Sequence, residues 1–169
     1  MVLLISLILI LAIPLVIFAT YKEKNKFRVP TIEDINSINI VPAKVGPGIG
    51  IKDEFFDLNK KEHLDMVNNI LNWLKAGKMM GNTKGDILSH GGTPTYLILE
   101  LKDGTKIHIQ SAVNPIATKV PNGTLIKGEN VSGQVTFYIS NIKEPIREFS
   151  PELKSFIDNG WKSFFNYTH

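Results

Sequence analysis

The pattern of apolar and polar positions divides the chain into an opening run with no alternation and a body with several. Residues Val2 to Thr20 carry no charged side chain. Residues 21–34 are polar, with one proline at Pro30, and read as a linker. Periodicity begins with "INSINIVPA" (35–43), where Ile38 and Ile40 alternate with polar neighbours until Pro42, the signature of a short strand. "VGPGIGIK" (45–52) reads as a turn into a second short strand. "NKKEHLDMVNNILNWLKAG" (59–77) changes the period. Leu64, Val67, Leu71 and Leu74, widened by Ile70, mark one buried face of a helix. Asn59 is placed to cap that helix in a box with Glu62, and Gly77 to stop it. "KMMGNTKGDILSHGG" (78–92) has no sustained period and is expected to be a long loop.

The most determinate local pattern is "TYLILELKDGTKIHIQSA" (95–112), two alternating runs around Asp103-Gly104. A two-residue turn would set Leu99 against His108 and mix apolar with polar positions on one face. A three-residue loop, Lys102-Asp103-Gly104, with Gly104 left-handed, sets Leu99 against Ile107 and Leu97 against Ile109. The other face then pairs Glu100 with Lys106 and Ile98 with His108. A slip of one residue would invert both faces, so the pattern selects the three-residue loop. His108 then lies on the wetter face. "VNPIATKVPNGTL" (113–125) is expected to be loop, with turns at Asn114-Pro115 and Asn122-Gly123, and "GQVTFYIS" (133–140) another strand. Ser150-Pro151-Glu152 starts a last helix, with Leu153, Phe156, Ile157, Trp161 and Phe164 on its apolar face and Gly160 weakening its middle.

The opening run then acquires a meaning. Nineteen residues at roughly 1.5 Å each make a helix of about 28 Å, close to the hydrocarbon thickness of a bilayer. Only Met1 and Val2 precede the leucines, and a cleavage site before Thr20 would place Ile17 where a small residue belongs. The run is therefore expected to be a retained single-pass anchor, with Pro14 as a tolerated kink. The nearby basic residues all follow the run, which by the positive-inside rule puts the body in the cytoplasm. Short N-terminal anchors commonly carry bodies outside the cytoplasm, and that orientation is the one expected here.

Charge and composition narrow the function classes. The formal net charge is +3 and the pI about 9.0. Lys22, Lys24, Lys26 and Arg28, against Glu23, account for all of it, and residues 29–169 balance at fifteen charges of each sign. The body has no basic surface in its composition, so nucleic acid is not an expected partner. With no cysteine, disulfides, thiolate metal sites and cysteine nucleophiles are excluded. The spacing Gly46, Gly48, Gly50 lacks the lysine-serine pair of a phosphate loop. His90-Gly91-Gly92 echoes an oxyanion loop, but no G-x-S-x-G accompanies it. The histidines at 63, 90, 108 and 169 are scattered, and His63 and Asp65 do not share a helix face. No metal or other cofactor is expected.

The succession of a strand, a helix ending "NNILNWLKAG", the hairpin "YLILELKDGTKIHI", a late strand and "FSPELKSFIDNGWKSFF" resembles small anchored or secreted domains of uncharacterised proteins from Gram-positive, Bacillus-like bacteria. The resemblance covers about residues 35–166 and carries no catalytic residues. It implies an extracytoplasmic, non-enzymatic module.

The expectation is an anchor over 1–20, a linker over 21–34 and one α+β domain over 35–169. An antiparallel sheet of four or five strands would have two helices on its Leu97/Leu99/Ile107/Ile109 face. The expected function is binding of a protein, peptide or envelope component. His90 in the long loop and Trp161, Phe164 and Phe165 near the C-terminus are its candidate contact residues, the aromatics having core packing as their other reading. The rivals are a hydrolase-type site around His90, Asp86 and Ser89, and a cytoplasmic accessory subunit of a membrane complex.

Overall fold

The computed structural model describes residues 27–43, 52–82, 94–121 and 123–166. Their architecture is α+β. Seven strands form one antiparallel sheet: β1 (Ile35–Val41), β2 (Glu54–Phe55), β3 (Lys78–Asn82), β4 (Tyr96–Leu101), β5 (Lys106–Val120), β6 (Gly123–Ile139) and β7 (Ile146–Phe149). Their order is β2-β1-β4-β5-β6-β7-β3, with β2 and β3 at the edges. Helix α1 (Lys61–Ala76) precedes β3. The C-terminal helix is in three parts: α2 (Pro151–Ser155), a π turn (Phe156–Gly160) and α3 (Trp161–Phe164).

Alternation in the strands and the 3.6-residue stripe of α1 meet in a single core. Leu97, Leu99, Ile107, Ile109, Phe137 and Ile146 line one face of the sheet, all at most 4% exposed. Val67, Ile70, Leu71 and Leu74 of α1 and Leu153, Ile157 and Trp161 of the C-terminal helix belong to the same cluster. The β4–β5 hairpin has the expected register, Leu97↔Ile109, Ile98↔His108, Leu99↔Ile107 and Glu100↔Lys106. Gly104 has φ +85°, and Leu101 and Thr105 close the three-residue loop through Leu101 N–H donating to Thr105 O at 2.8 Å. Glu100 and Lys106 face each other at 3.9 Å.

Several expectations are corrected. Residues 113–125 are not a loop: β5 and β6 run on through them as a two-stranded ribbon, joined across Val120↔Gly123. Pro115 ends neither strand, because no third strand lies outside β5 there to need its missing N–H. Residues 78–82, read as the start of a loop, form edge strand β3. Residues 146–149, for which no strand was expected, form β7, and β3 and β7 raise the sheet from the expected four or five strands to seven. Asn59 does not cap α1, since its N–H and side-chain amide both turn back to Asp57 Oδ1 and the N-cap position is Lys60. Ser150 does not cap α2; its hydroxyl donates to the Trp73 carbonyl in the last turn of α1, at 3.2 Å. The packed body begins inside the segment read as a linker: Phe27, Val29 and Ile32 lie against the core, with the Phe27 and Phe137 rings 5.4 Å apart.

The Val2–Thr20 run, the 45–50 glycine segment and His90 with Asp86 and Ser89 lie outside the described residues. Among the described residues, no helix is long and apolar enough to cross a membrane.

Candidate functional site: a braced β arm

The ribbon of β5 and β6 is the feature the sheet does not need for its own core. Beyond the pairs that join β5 to β4 and β6 to β7, eight further rungs run from Val113↔Asn130 to Val120↔Gly123, with no third strand beside them among the described residues. At about 3.3 Å per residue the arm is roughly 25 Å long. Residues 114–119 of β5 and 128–130 of β6 are exposed, with Ile116 at 44%. A free two-stranded ribbon is marginally stable in water. What holds this one is its root.

The root is irregular in a specific way. Between Ser111↔Val135 and Val113↔Asn130, the single residue Ala112 of β5 faces Val131–Gln134 of β6. Such a bulge bends and twists the strand that carries the extra residues. Gly133, inside it, has φ +66°, a left-handed conformation that glycine adopts without strain. Its carbonyl accepts from Ser150 N–H at 2.8 Å. Phe149 lies over Gly133 so closely that a Cβ there would sit 2.6 Å from the ring. Gly128 plays the same part for Val113, whose Cγ1 occupies the space a side chain at 128 would take.

Both sides of the root are tied by polar contacts. On the face away from the helices, Arg147 donates to Asn114 Oδ1 at 2.8 Å and to the Val113 carbonyl at 3.3 Å. On the helix side, the Ser111 hydroxyl donates to Asp158 Oδ1, and Lys154 binds the other oxygen of Asp158 at 2.5 Å. This serine, carboxylate and lysine do not make a nucleophile. The carboxylate that could take the serine proton is already held by a lysine, and among the described residues no imidazole relays the proton. A depression of about 350 Å³ lies beside them, lined in part by Gly133, Phe149, Lys154 and Asp158.

The aromatic residues singled out in the sequence fall elsewhere. Trp161 is 1% exposed and belongs to the core, so its ring offers no surface. Phe164 and Phe165 are half-buried, in contact with each other at 4.9 Å between ring centroids and with Phe56 at 5.6 and 5.0 Å. His63 completes this cluster, 5.2 Å from Phe164, and its Nδ1 accepts the Asp57 N–H at 2.9 Å. Sequence reasoning found no metal-ligand partner for His63 and did not foresee this cluster. The signal available was Phe55-Phe56 upstream of it, whose contact with a C-terminal "FF" no periodicity encodes.

The second face of the sheet is polar in its centre. His108 meets Tyr96 edge-on at 6.1 Å, and burial, then Lys106, lowers its pKa below the usual imidazole value. Gln110 and Thr136, paired across β5 and β6, are fully buried on that face, and neither polar atom of the Gln110 amide has a hydrogen-bond partner. At the opposite end of the sheet from the arm, Phe27, Arg28, Leu101, Lys102, Ile107 and Ile139 line much of a cavity of about 440 Å³. Among the described residues, no three histidine or acidic side chains gather to hold a metal ion.

Comparison with known proteins brings no relative to this geometry: no family model, no curated protein and no solved structure matches the chain.

Proposed function

We propose that the protein is a membrane-anchored, non-enzymatic binding module that engages a protein, peptide or envelope component through the β5–β6 arm. The observation that carries this reading is the arm itself. A ribbon whose residues 114–119 and 128–130 are exposed bends at a bulge and is tied on both sides of its root. Loops and projections on a rigid scaffold are where proteins place recognition.

The anchor gives the arm a direction. Phe27, the first described residue after the apolar run, lies beside Ile107 and Ile139 in the lining of one cavity, at the β4–β5 turn end of the sheet. From Ile107 to Val120 is thirteen residues of β5, about 40 Å of strand. With Val2–Thr20 in the lipid, the arm tip stands at the end of the domain away from the point of attachment. The arm, residues 113–130, carries Lys119, Lys127 and Glu129 as its charged residues.

The test has two parts. Protease treatment of intact and lysed cells carrying a C-terminal tag reports the side of the membrane. A photo-crosslinking residue at Ile116, compared with one at Glu33 at the other end of the sheet, reports the contact surface. The proposal expects tag cleavage in intact cells and a discrete adduct from position 116 alone. Protection of the tag in intact cells, with the adduct retained, favours the second reading, a cytoplasmic accessory subunit, which Lys22, Lys24, Lys26 and Arg28 next to the apolar run support.

A further inference from the structure

Glu148 of β7 points to the helix side of the sheet, between Val135 of β6 and Met79 of β3, and is 2% exposed. Its Oε1 is buried without a hydrogen-bond partner. The carboxyl group fills the space over Gly77 so completely that a Cβ on residue 77 would overlap Oε1. Gly77 is the C-cap of α1 and the residue before β3, so Glu148 sits where a helix end, an edge strand and an inner strand converge.

This corner suits an acid and not its anion. A buried carboxylate needs a cation or several donors, and among the described residues no cation is paired with Glu148. On its own strand, Arg147 projects to the opposite face and is bound to Asn114 and the Val113 carbonyl. On the C-terminal helix, Glu152 is exposed and Lys154 is committed to Asp158. On α1 and β3, Lys75 and Lys78 are exposed. From β6 the facing residue is the uncharged Val135. The last turn of α1 presents the negative end of its dipole, which opposes an anion and supplies carbonyls to an acid proton.

We propose that Glu148 is a proton-operated latch: as a neutral acid it seats β7 against Gly77 and edge strand β3, and as a carboxylate it loosens that corner and frees β3. The latch does not depend on the arm's being a binding element. Desolvation raises the Glu148 pKa from 4.5 to about 7, so the change falls near neutrality. What is freed is an exposed strand, all five residues of which face solvent, with Met79 and Met80 about half exposed. A short, bulged edge of this kind is held back from pairing with other chains chiefly by its geometry.

Hydrogen exchange on the full chain in mild detergent tests the latch. Amides of residues 77–82 and 146–149 are followed from pH 5.5 to 8.5 and corrected for intrinsic exchange, in the parent protein and in Glu148→Gln, which keeps the shape without the ionisation. The latch predicts protection at these amides falling by tenfold or more across that range in the parent, with β4 and the core of β5 unchanged. In Glu148→Gln the same protection is independent of pH. Protection that stays constant in the parent overturns the proposal, as does an equal pH-dependent loss in Glu148→Gln. Glu148→Ala serves as a second variant if Glu148→Gln does not fold, with the same expectation of pH independence.

Discussion

Replacing Gly77 by alanine isolates the contact at the α1–β3 corner from any effect of backbone strain. Gly77 has φ −62° and ψ 148°, a conformation open to alanine. Through the unfolded chain alone, such a replacement stabilises by about 0.4–1 kcal/mol. The new methyl would overlap Glu148 Oε1 and lie 2.8 Å from its Cγ, so the buried carboxyl group has to move. Overpacking of this kind costs about 1–3 kcal/mol. The net expectation is a loss of about 1–2 kcal/mol, or roughly 3–6 °C in Tm for a domain of this size. Thermal unfolding of the full chain in detergent, followed by near-ultraviolet circular dichroism at pH 6, measures it. The decisive arm is the double-mutant cycle. In a Glu148→Ala background the obstacle is gone, so Gly77→Ala should change sign and stabilise by a few tenths of a kcal/mol or more. If Gly77→Ala destabilises equally in both backgrounds, the carboxyl group does not occupy the space over Gly77.

Other perturbations reach the rest of the fold. Arg147→Ala removes both ties to Val113 and Asn114, and amide protection in 113–120 and 123–130 should fall about tenfold while that of 97–101 is unchanged. Phe137→Ala empties a fully buried site against Phe27 and should cost about 3–5 kcal/mol in denaturant unfolding. Stability should fall as pH rises: Glu148 binds its proton more tightly folded than unfolded, so its contribution is complete below pH 4.5 and lost as pH passes 7. The full change is about 3 kcal/mol, read as a lower denaturation midpoint at pH 8 than at pH 5, and Glu148→Gln should flatten it. Ser150→Ala should cost about 1 kcal/mol through the lost bond to the Trp73 carbonyl.

The parts of this fold that were legible in the sequence are those whose partners lie close along the chain. The β4–β5 register follows from four apolar positions and one glycine, because a slip would expose Leu97 and Leu99. The stripe of α1 is equally local. The arm was hidden by its own signals. Asn114-Pro115 and Asn122-Gly123 read as turn dipeptides in the sequence, and residues 114–119 and 128–130 are exposed, so no buried face imposes an alternation there. Asn114-Pro115 lies within strand β5 instead. Strand β3 was lost for a similar reason, since KMMGN is exposed throughout and has no buried face to betray a period. Asn59 and Ser150 show a different limit: both have the right residue type for a cap, but a competing local bond to Asp57 and a tertiary bond to the Trp73 carbonyl claim their side chains instead. Of the proposed contact residues, His90 lies outside the described residues and Trp161 is buried in the core, where a large apolar ring gains more than in water. The arm root, built on Arg147, Ala112, Gly128 and Gly133, brings together four residues that share no motif.

In the proposed function, residues 113–130 form the surface that meets a partner. Photo-crosslinking in intact cells, with the reactive residue placed in turn at Ile116, Thr118, Glu33 and Asp103, addresses it directly. The account predicts one discrete higher-mass adduct from positions 116 and 118, reduced by Arg147→Ala, and none from 33 or 103. Adducts from 33 and 103 without any from the arm would contradict it.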